Sequence, residues 1–317
     1  MRGPGPAAAA LAALALAAGL AGGGYLQGQL LLVGAYATAL LGLQFLVGTA
    51  GLASLGQAAF LAVGAYAAAI ALQAGLAWPL ALALAGVAGG AAGLAVGVLL
   101  RRLDGGPFAL ATLALAFVAQ QIAAMAATVT GGHDGLWLTG PGVDAPSRAT
   151  LFAAAWVLFL LLFLAVRNLQ AGRLGRALRA LHQEPLAAAS LGLDPMPPRG
   201  LAMALAGFAG GVGGALYAFA LGFVSPEMFG PGASIALLVM IVVGGAARPL
   251  GALWGAVFFI LLREGIALAK SVDPRLAADA AGLEAAAMAL AVIAVLWLFP
   301  GGLARPRRTF RSKGPPQ

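Results

Sequence analysis

Residues 79–102 read PLALALAGVAGGAAGLAVGVLLRR. The 22 residues from Pro79 to Leu100 carry no charge. As a helix they extend roughly 33 Å at 1.5 Å per residue, enough to cross a hydrocarbon core of about 30 Å. The run stops at Arg101-Arg102, a basic pair of the kind that marks the cytoplasmic end of a span. Gly89, Gly93 and Gly97 recur every four residues. One helix face therefore lacks side chains, and a second backbone can approach it closely. A span, its orientation and a packing seam are all contained in this stretch.

Runs of the same character fill most of the chain: 7–22, 29–47, 56–75, 107–129, 150–166, 200–222, 233–247, 250–269 and 282–299. Lipid offers backbone groups no partners, so each run is expected to be helical. Composition agrees. Of 317 residues 62% are hydrophobic and 9% charged, with a mean hydropathy of +0.97, whereas a soluble domain carries about 25% charged residues. The chain has no cysteine, which excludes a disulfide framework, a thiol nucleophile and cysteine-ligated metal. The net charge of +8 is no nucleic-acid footprint, because the arginines fall in short loops between apolar runs, where they set topology.

Placing Arg101/Arg102, the loop 167–199 and the tail from Arg305 on one side puts four spans before the first loop, two between the loops and four before the tail. The expectation is thus an all-α transmembrane bundle of about ten spans, one domain over 1–317, with both termini, the loop 167–199 and the basic tail 304–317 in the cytoplasm. Fourteen of the 18 Lys/Arg then lie inside, Arg148, Lys270 and Arg275 outside, and Arg263 within a span. Two segments stay open. Run 7–22 fits a span or a cleaved signal peptide, and 233–247 is short enough to be re-entrant. Gly207/Gly211 and Gly210/Gly214 repeat the four-residue spacing and serve close helix packing, or a sliding surface during transport.

The longest polar stretch is RNLQAGRLGRALRALHQEPLAAASLGLDPMPPR, 167–199. Leu174, Ala177, Leu178 and Leu181 share one helical face, and Arg173, Arg176 and Arg179 the other. Pro185 suits a first turn and Gly192 a C-terminal stop, which predicts a second short helix near 185–191. Such helices either lie on the membrane surface or dock a soluble partner.

At this point six motifs resemble one family. LAAASLG (186–192) is similar to the loop by which ABC importer permeases contact their ATPases; Leu186 stands where a Glu is usual and Glu184 lies two positions earlier, a departure shared by the branched-chain amino-acid permeases. GLASLGQAAFLAVGAYAAA (51–69), DGGPFALATLALA (104–116), TGGHDGL (130–136), GFVSPEMFG (222–230) and FPGGL (299–303) resemble, in order, the LivM-type subunits of that family. The resemblance implies a permease of the bacterial cytoplasmic membrane that imports branched-chain or related neutral amino acids. It further implies a second, LivH-like permease subunit, two ATP-binding cassette subunits that hold ATP and Mg, and an extracytoplasmic substrate-binding protein. No cofactor on this chain and no nucleic-acid partner is implied. Arg176, Glu184, Leu186, Ala187, Ala188 and Gly192 would then form the ATPase-coupling loop. Urea and short-amide permeases share much of the pattern.

No catalytic constellation is present. His133 and His182 fall in loops assigned to opposite sides, so a two-histidine metal site is not expected. His133-Asp134, with Gly131 and Gly132, forms either a Gly-rich turn or part of a docking loop for the binding protein. GIALAKS (265–271) lacks the second glycine of a phosphate loop, since Ala269 occupies its place. Ser54 and Gln57 sit where Gly48–Gly56 interrupts the apolar register. They fit an irregular segment lining the substrate path equally with a helix start capped by Ser54. Gln44, Thr112, Gln120 and Gln121 are polar groups within spans, suited to interhelical hydrogen bonds or to the lumen. Arg263-Glu264 is costly in lipid, and the two side chains diverge, so each needs its own partner or the outer interface, with structural anchoring favoured. An ion-coupled secondary transporter is the rival of another class, but it would need acidic or histidine relays, for which only Glu264 and Glu284 offer themselves.

Overall fold

The computed structural model describes residues 23–138, 146–194, 196–272, 280–299 and 302–304. Run 7–22 and the basic tail beyond residue 304 lie outside the described residues. The remaining nine apolar runs coincide with helices: α1 (Gly24–Ala50), α2 (Gln57–Gln73), α3 (Trp78–Leu99), α4 (Gly105–Met125), α6 (Arg148–Ala171), α9 (Met196–Leu221), α10 (Pro231–Gly244), α11 (Leu250–Val272) and α12 (Ala280–Leu298). Among the described residues there are also three shorter α-helices: α5 (Ala127–Thr130), α7 (Arg173–Gln183) and α8 (Pro185–Ser190).

Among the described residues six helices, α1, α3, α4, α6, α9 and α11, are long and apolar enough to cross a membrane. They make the chain a polytopic helical membrane protein, as expected, and run 7–22, counted among the ten expected spans, lies outside the described residues. Helices α2 and α10, with 17 and 14 residues, extend about 26 and 21 Å, short of a core of roughly 30 Å. Both begin below an end of the bundle, after irregular stretches that consume part of the membrane depth.

Helices α1 and α9 form the core, with 78% and 67% of their most apolar windows buried against 22% in α4. Each is apolar all round, as a helix with no face toward water must be. Helix α9 packs on α1, α2 and α3. Its seam with α3 is made by the glycines: a Cβ on Gly207 would lie 2.1 Å from the carbonyl oxygen of Gly89, and one on Gly93 2.2 Å from that of Met203. The two backbones touch, and dispersion across this seam replaces the hydrophobic drive that lipid removes.

The chain repeats itself in opposite orientation. The succession α1-α2-α3-α4, of 27, 17, 22 and 21 residues, is matched by α9-α10-α11-α12, of 26, 14, 23 and 19. Gly51 and Gly222 follow α1 and α9 with φ of 69° and 70°, left-handed values that glycine adopts without strain. Gly56 and Gly230 precede the short helices. The turns after them read Gly75-Leu-Ala-Trp-Pro-Leu80 and Gly245-Ala-Ala-Arg-Pro-Leu250. Helix α3 packs on α9 as α11 packs on α1, and α2 on α3 as α10 on α11. One end of the bundle carries α7 and α8. The other carries a two-stranded antiparallel sheet, β1 (Leu136–Trp137) with β2 (Phe223–Val224), in register Leu136 to Val224.

Candidate functional site

The break between α1 and α2 places irregular backbone well inside the bundle. Leu55 meets Thr112, seven residues into α4 and so about 10 Å from that helix's start. Backbone groups at this depth need protein partners, and three hydroxyls from three different segments supply them. Leu55 N–H donates to Thr112 Oγ1 at 3.0 Å, Gly56 N–H to Ser54 Oγ at 3.3 Å, and Ala58 N–H to Ser234 Oγ at 3.1 Å. Thr112 passes its own proton to the carbonyl of Ala109 at 2.9 Å. Gln57 Nε2 donates to the carbonyls of Ala39 and Ala206 at 3.0 and 3.1 Å, tying both core helices to the start of α2. Its Oε1 is buried without a hydrogen-bond partner.

Three of the five residues expected along the path, Ser54, Gln57 and Thr112, are therefore brought together, and each is fully buried. Ser54 is not the cap of α2: Gly56 holds that position without a side-chain cap bond, and Ser54 serves the irregular stretch itself. Ser234 belongs to the cluster and the sequence reading missed it. Its signal was its place just inside α10, behind Gly230-Pro231, the counterpart of the start of α2.

Gln44 and Gln120 sit elsewhere. Gln44, fully buried, lies at the α7/α8 end, where its Nε2 donates to the carbonyl of Ala246 at 2.7 Å. Gln170 Nε2 donates to Gln44 Oε1 and Thr49 Oγ1 at 3.1 and 3.0 Å, and Arg179 donates to the Gln170 carbonyl at 2.9 Å. A continuous polar chain thus runs from α7 through the end of α6 into α1 and the α10–α11 turn. Gln120 is half-buried against Gly230, whose Cβ would lie 2.9 Å from its Oε1.

On the loop, α7 buries Gly175, Leu178 and Leu181, as its apolar stripe requires, and exposes Arg173 and Arg176. Arg176 bonds the carbonyl of Ala171 at 2.9 Å. Arg179 is drawn inward to Gln170 instead of facing outward with the other two. Helix α8 begins at Pro185 and stops before Gly192, which has φ of 75°. It turns Ala188 inward, at 3% exposure, and Leu186 outward, at 87%, beside Leu191 at 81%. Glu184 and Ala187 are also exposed. His182 packs so closely on Gly51 that a Cβ there would lie 1.9 Å from its Nδ1, which joins the loop directly to the α1–α2 break.

At the opposite end Gly131 and Gly132 adopt φ of 72° and 59° and present His133 and Asp134 to the outside. His133 Nδ1 lies 3.1 Å from Glu227 Oε1, joining the two halves of the repeat. This hydrogen bond holds the Glu227 carboxyl below the usual carboxylate range. Trp137 stacks on Phe223 with centroids 4.6 Å apart. Tyr25 donates to Glu264 Oε2, so that carboxylate is engaged at the start of α1.

Residues 25–299 match the family model described as branched-chain amino acid transport system / permease component. The high-affinity branched-chain amino acid transport system permease protein LivM of Salmonella typhimurium is 31% identical over 252 residues, covering 71% of this chain and 59% of that one. The protein of the same description from Escherichia coli is 30% identical over the same length and with the same coverage. The chain thus spans 59% of the length of the curated relatives it matches. No solved structure matches.

Proposed function

The chain belongs to the branched-chain amino acid permease family, and from that premise we propose that it is one membrane-spanning half of an ATP-driven importer of leucine, isoleucine, valine or a related neutral amino acid. An extracytoplasmic binding protein delivers the solute to the end bearing His133 and Asp134. Two ATPase subunits dock at the end bearing α7 and α8. A second, homologous permease completes the pore. ATP is hydrolysed on the partners, and this chain supplies the path and the coupling, with both termini on the ATPase side.

The observation that carries this reading is α8. A helix that exposes Leu186, with Leu191 exposed just beyond it, while burying Ala188 has an apolar surface in need of a cover; covering one leucine contributes about 1.5–3 kcal/mol. The helix stands on α7, which reaches the α1–α2 break through His182, and α1 itself through the polar chain of Arg179, Gln170 and Gln44. Movement of a docked ATPase is thereby transmitted to the buried hydroxyl cluster, whose hydrogen bonds belong to one of two conformational states. The cluster includes no charge, which suits a solute with zero net charge.

Leu186→Glu in the assembled complex tests this. A carboxylate forced into an apolar interface costs several kcal/mol, and each 1.4 kcal/mol is about tenfold in occupancy. Co-purification of the ATPases and substrate-stimulated ATP hydrolysis are expected to fall at least tenfold, while Arg176→Ala, an exposed charge worth about 1 kcal/mol or less, leaves both near wild type. Retention of the ATPases by Leu186→Glu would reduce α8 to a helix resting on the membrane surface.

A further inference from the structure

Arg263 lies 13 residues along α11 from Leu250, about 20 Å by helical rise, toward the end of the bundle where Glu264 meets the start of α1, and it is exposed. Among the described residues it makes no ion pair and no hydrogen bond. Its neighbour Glu264 does not serve it, since adjacent helical side chains diverge and Glu264 accepts from Tyr25. A guanidinium without a counter-charge on an apolar helix is costly wherever lipid replaces water. The cost is met when a ligand or partner brings the counter-charge.

The guanidinium lines a cavity of about 230 Å³, smaller than the roughly 300–1,000 Å³ of pockets for drug-sized ligands. Its walls come from both halves of the repeat. Tyr36 of α1 lies 5.4 Å from Tyr217 of α9 and 6.1 Å from Phe259 of α11, and Tyr217 lies 6.3 Å from Phe229, measured between ring centroids. Leu237 and Met240 of α10 close the apolar side. Ala233, also on the wall, is the residue before Ser234, so the cavity adjoins the buried hydroxyl cluster.

We propose that this cavity is a subsite for a small zwitterion with an apolar side chain. Arg263 takes the carboxylate through its planar fork, the ring faces take the ammonium group, and the α10 wall takes the side chain. A neutral urea or amide brings no charge to Arg263, so the subsite selects an amino acid over those solutes. The inference rests on the amino-acid import reading and adds the place and the chemistry of recognition.

The test measures binding alone, on the assembled complex in neutral-lipid nanodiscs without binding protein or nucleotide. The unfolding midpoint is followed by intrinsic fluorescence against leucine and against leucinamide, since a ligand that binds only the folded state raises it. Leucine is expected to raise the wild-type midpoint and leucinamide to leave it unchanged. In Arg263→Gln the half-saturating leucine concentration should rise roughly tenfold or more, with Arg263→Lys in between. Four results would overturn the proposal. The first is equal leucine response in wild type and Arg263→Gln, and the second is equal response to leucine and leucinamide. The third is loss of the second permease from purified Arg263→Gln complex, which assigns the charge to a subunit contact. The fourth is a leucine response abolished by added phosphatidylglycerol in wild type alone, which assigns it to lipid phosphate. Leucine uptake by a complex that fails this binding test would leave the import reading standing and remove only the subsite.

Discussion

Gly89 and Gly90 are neighbours on α3 with opposite surroundings, and exchanging each for alanine separates packing from propensity. A Cβ at Gly89 would lie 2.3 Å from the Gly207 carbonyl oxygen and 2.9 Å from Gly211 Cα. Both are backbone atoms, so no side chain can swing aside. Attractive contact begins near 3.5 Å, so α3 and α9 must part by about 3.5 − 2.3 = 1.2 Å. A gap of 0.5–1 Å already forfeits a quarter to a half of a contact's dispersion energy, and here the loss extends along the glycine seam. Overpacking of this kind costs about 1–3 kcal/mol. At Gly90 the nearest atom to a Cβ would be Phe208 Cβ at 3.5 Å, an ordinary contact. Alanine there gains the roughly 0.5–1 kcal/mol by which it is favoured over glycine within a helix. The two variants should differ by about 1.5–4 kcal/mol, with Gly89→Ala melting several degrees below wild type in detergent and Gly90→Ala at or above it. Equal midpoints for the two would show that α3 and α9 do not meet through this seam.

Two further predictions concern the break and the orientation. Thr112→Val leaves the half-buried Leu55 N–H without its acceptor, which costs about 1–3 kcal/mol when no water replaces it, whereas Thr112→Ser keeps it; the thermal midpoints of the two should separate in that order, and coincidence would remove Thr112 from the cluster. The chain has no cysteine, so Asp134→Cys and Glu184→Cys, both at exposed positions, can be labelled singly in intact cells with an impermeant maleimide. Only the first should react from outside, and reaction of both would contradict the assignment of α7 and α8 to the cytoplasm.

Spans were legible because hydropathy over about 20 residues is a strong signal, and the PLALALAGVAGGAAGLAVGVLL stretch forms α3 almost to the residue. The loop helices were legible too, from the spacing of Leu174, Leu178 and Leu181 and from Pro185 and Gly192. The short helices were not. An apolar run such as 56–75 looks like a full span whether it begins at the surface or below it; only the hydrogen bonds of Leu55 and Ala58 fix where α2 starts. The inverted repeat left one clear trace, Ala-Trp-Pro-Leu beside Ala-Arg-Pro-Leu, too short to notice without the matching glycines of the fold. Ser54, Gln57 and Thr112 could be picked as polar residues in apolar surroundings. Gln44 satisfied the same criterion and proved to belong to a different network, because composition gives depth no better than it gives direction. Ala188 illustrates the same limit: its helix was legible, its inward face was not.

The central claim is that this permease works as part of an ATP-driven importer of an amino acid, and solute uptake by the reconstituted complex tests it most directly. Proteoliposomes holding both permeases and both ATPases, with binding protein outside and ATP inside, should accumulate labelled leucine. That accumulation should stop when ATP is omitted or a non-hydrolysable analogue replaces it, and persist when proton and sodium gradients are collapsed. Accumulation that follows an ion gradient and ignores ATP would contradict the account.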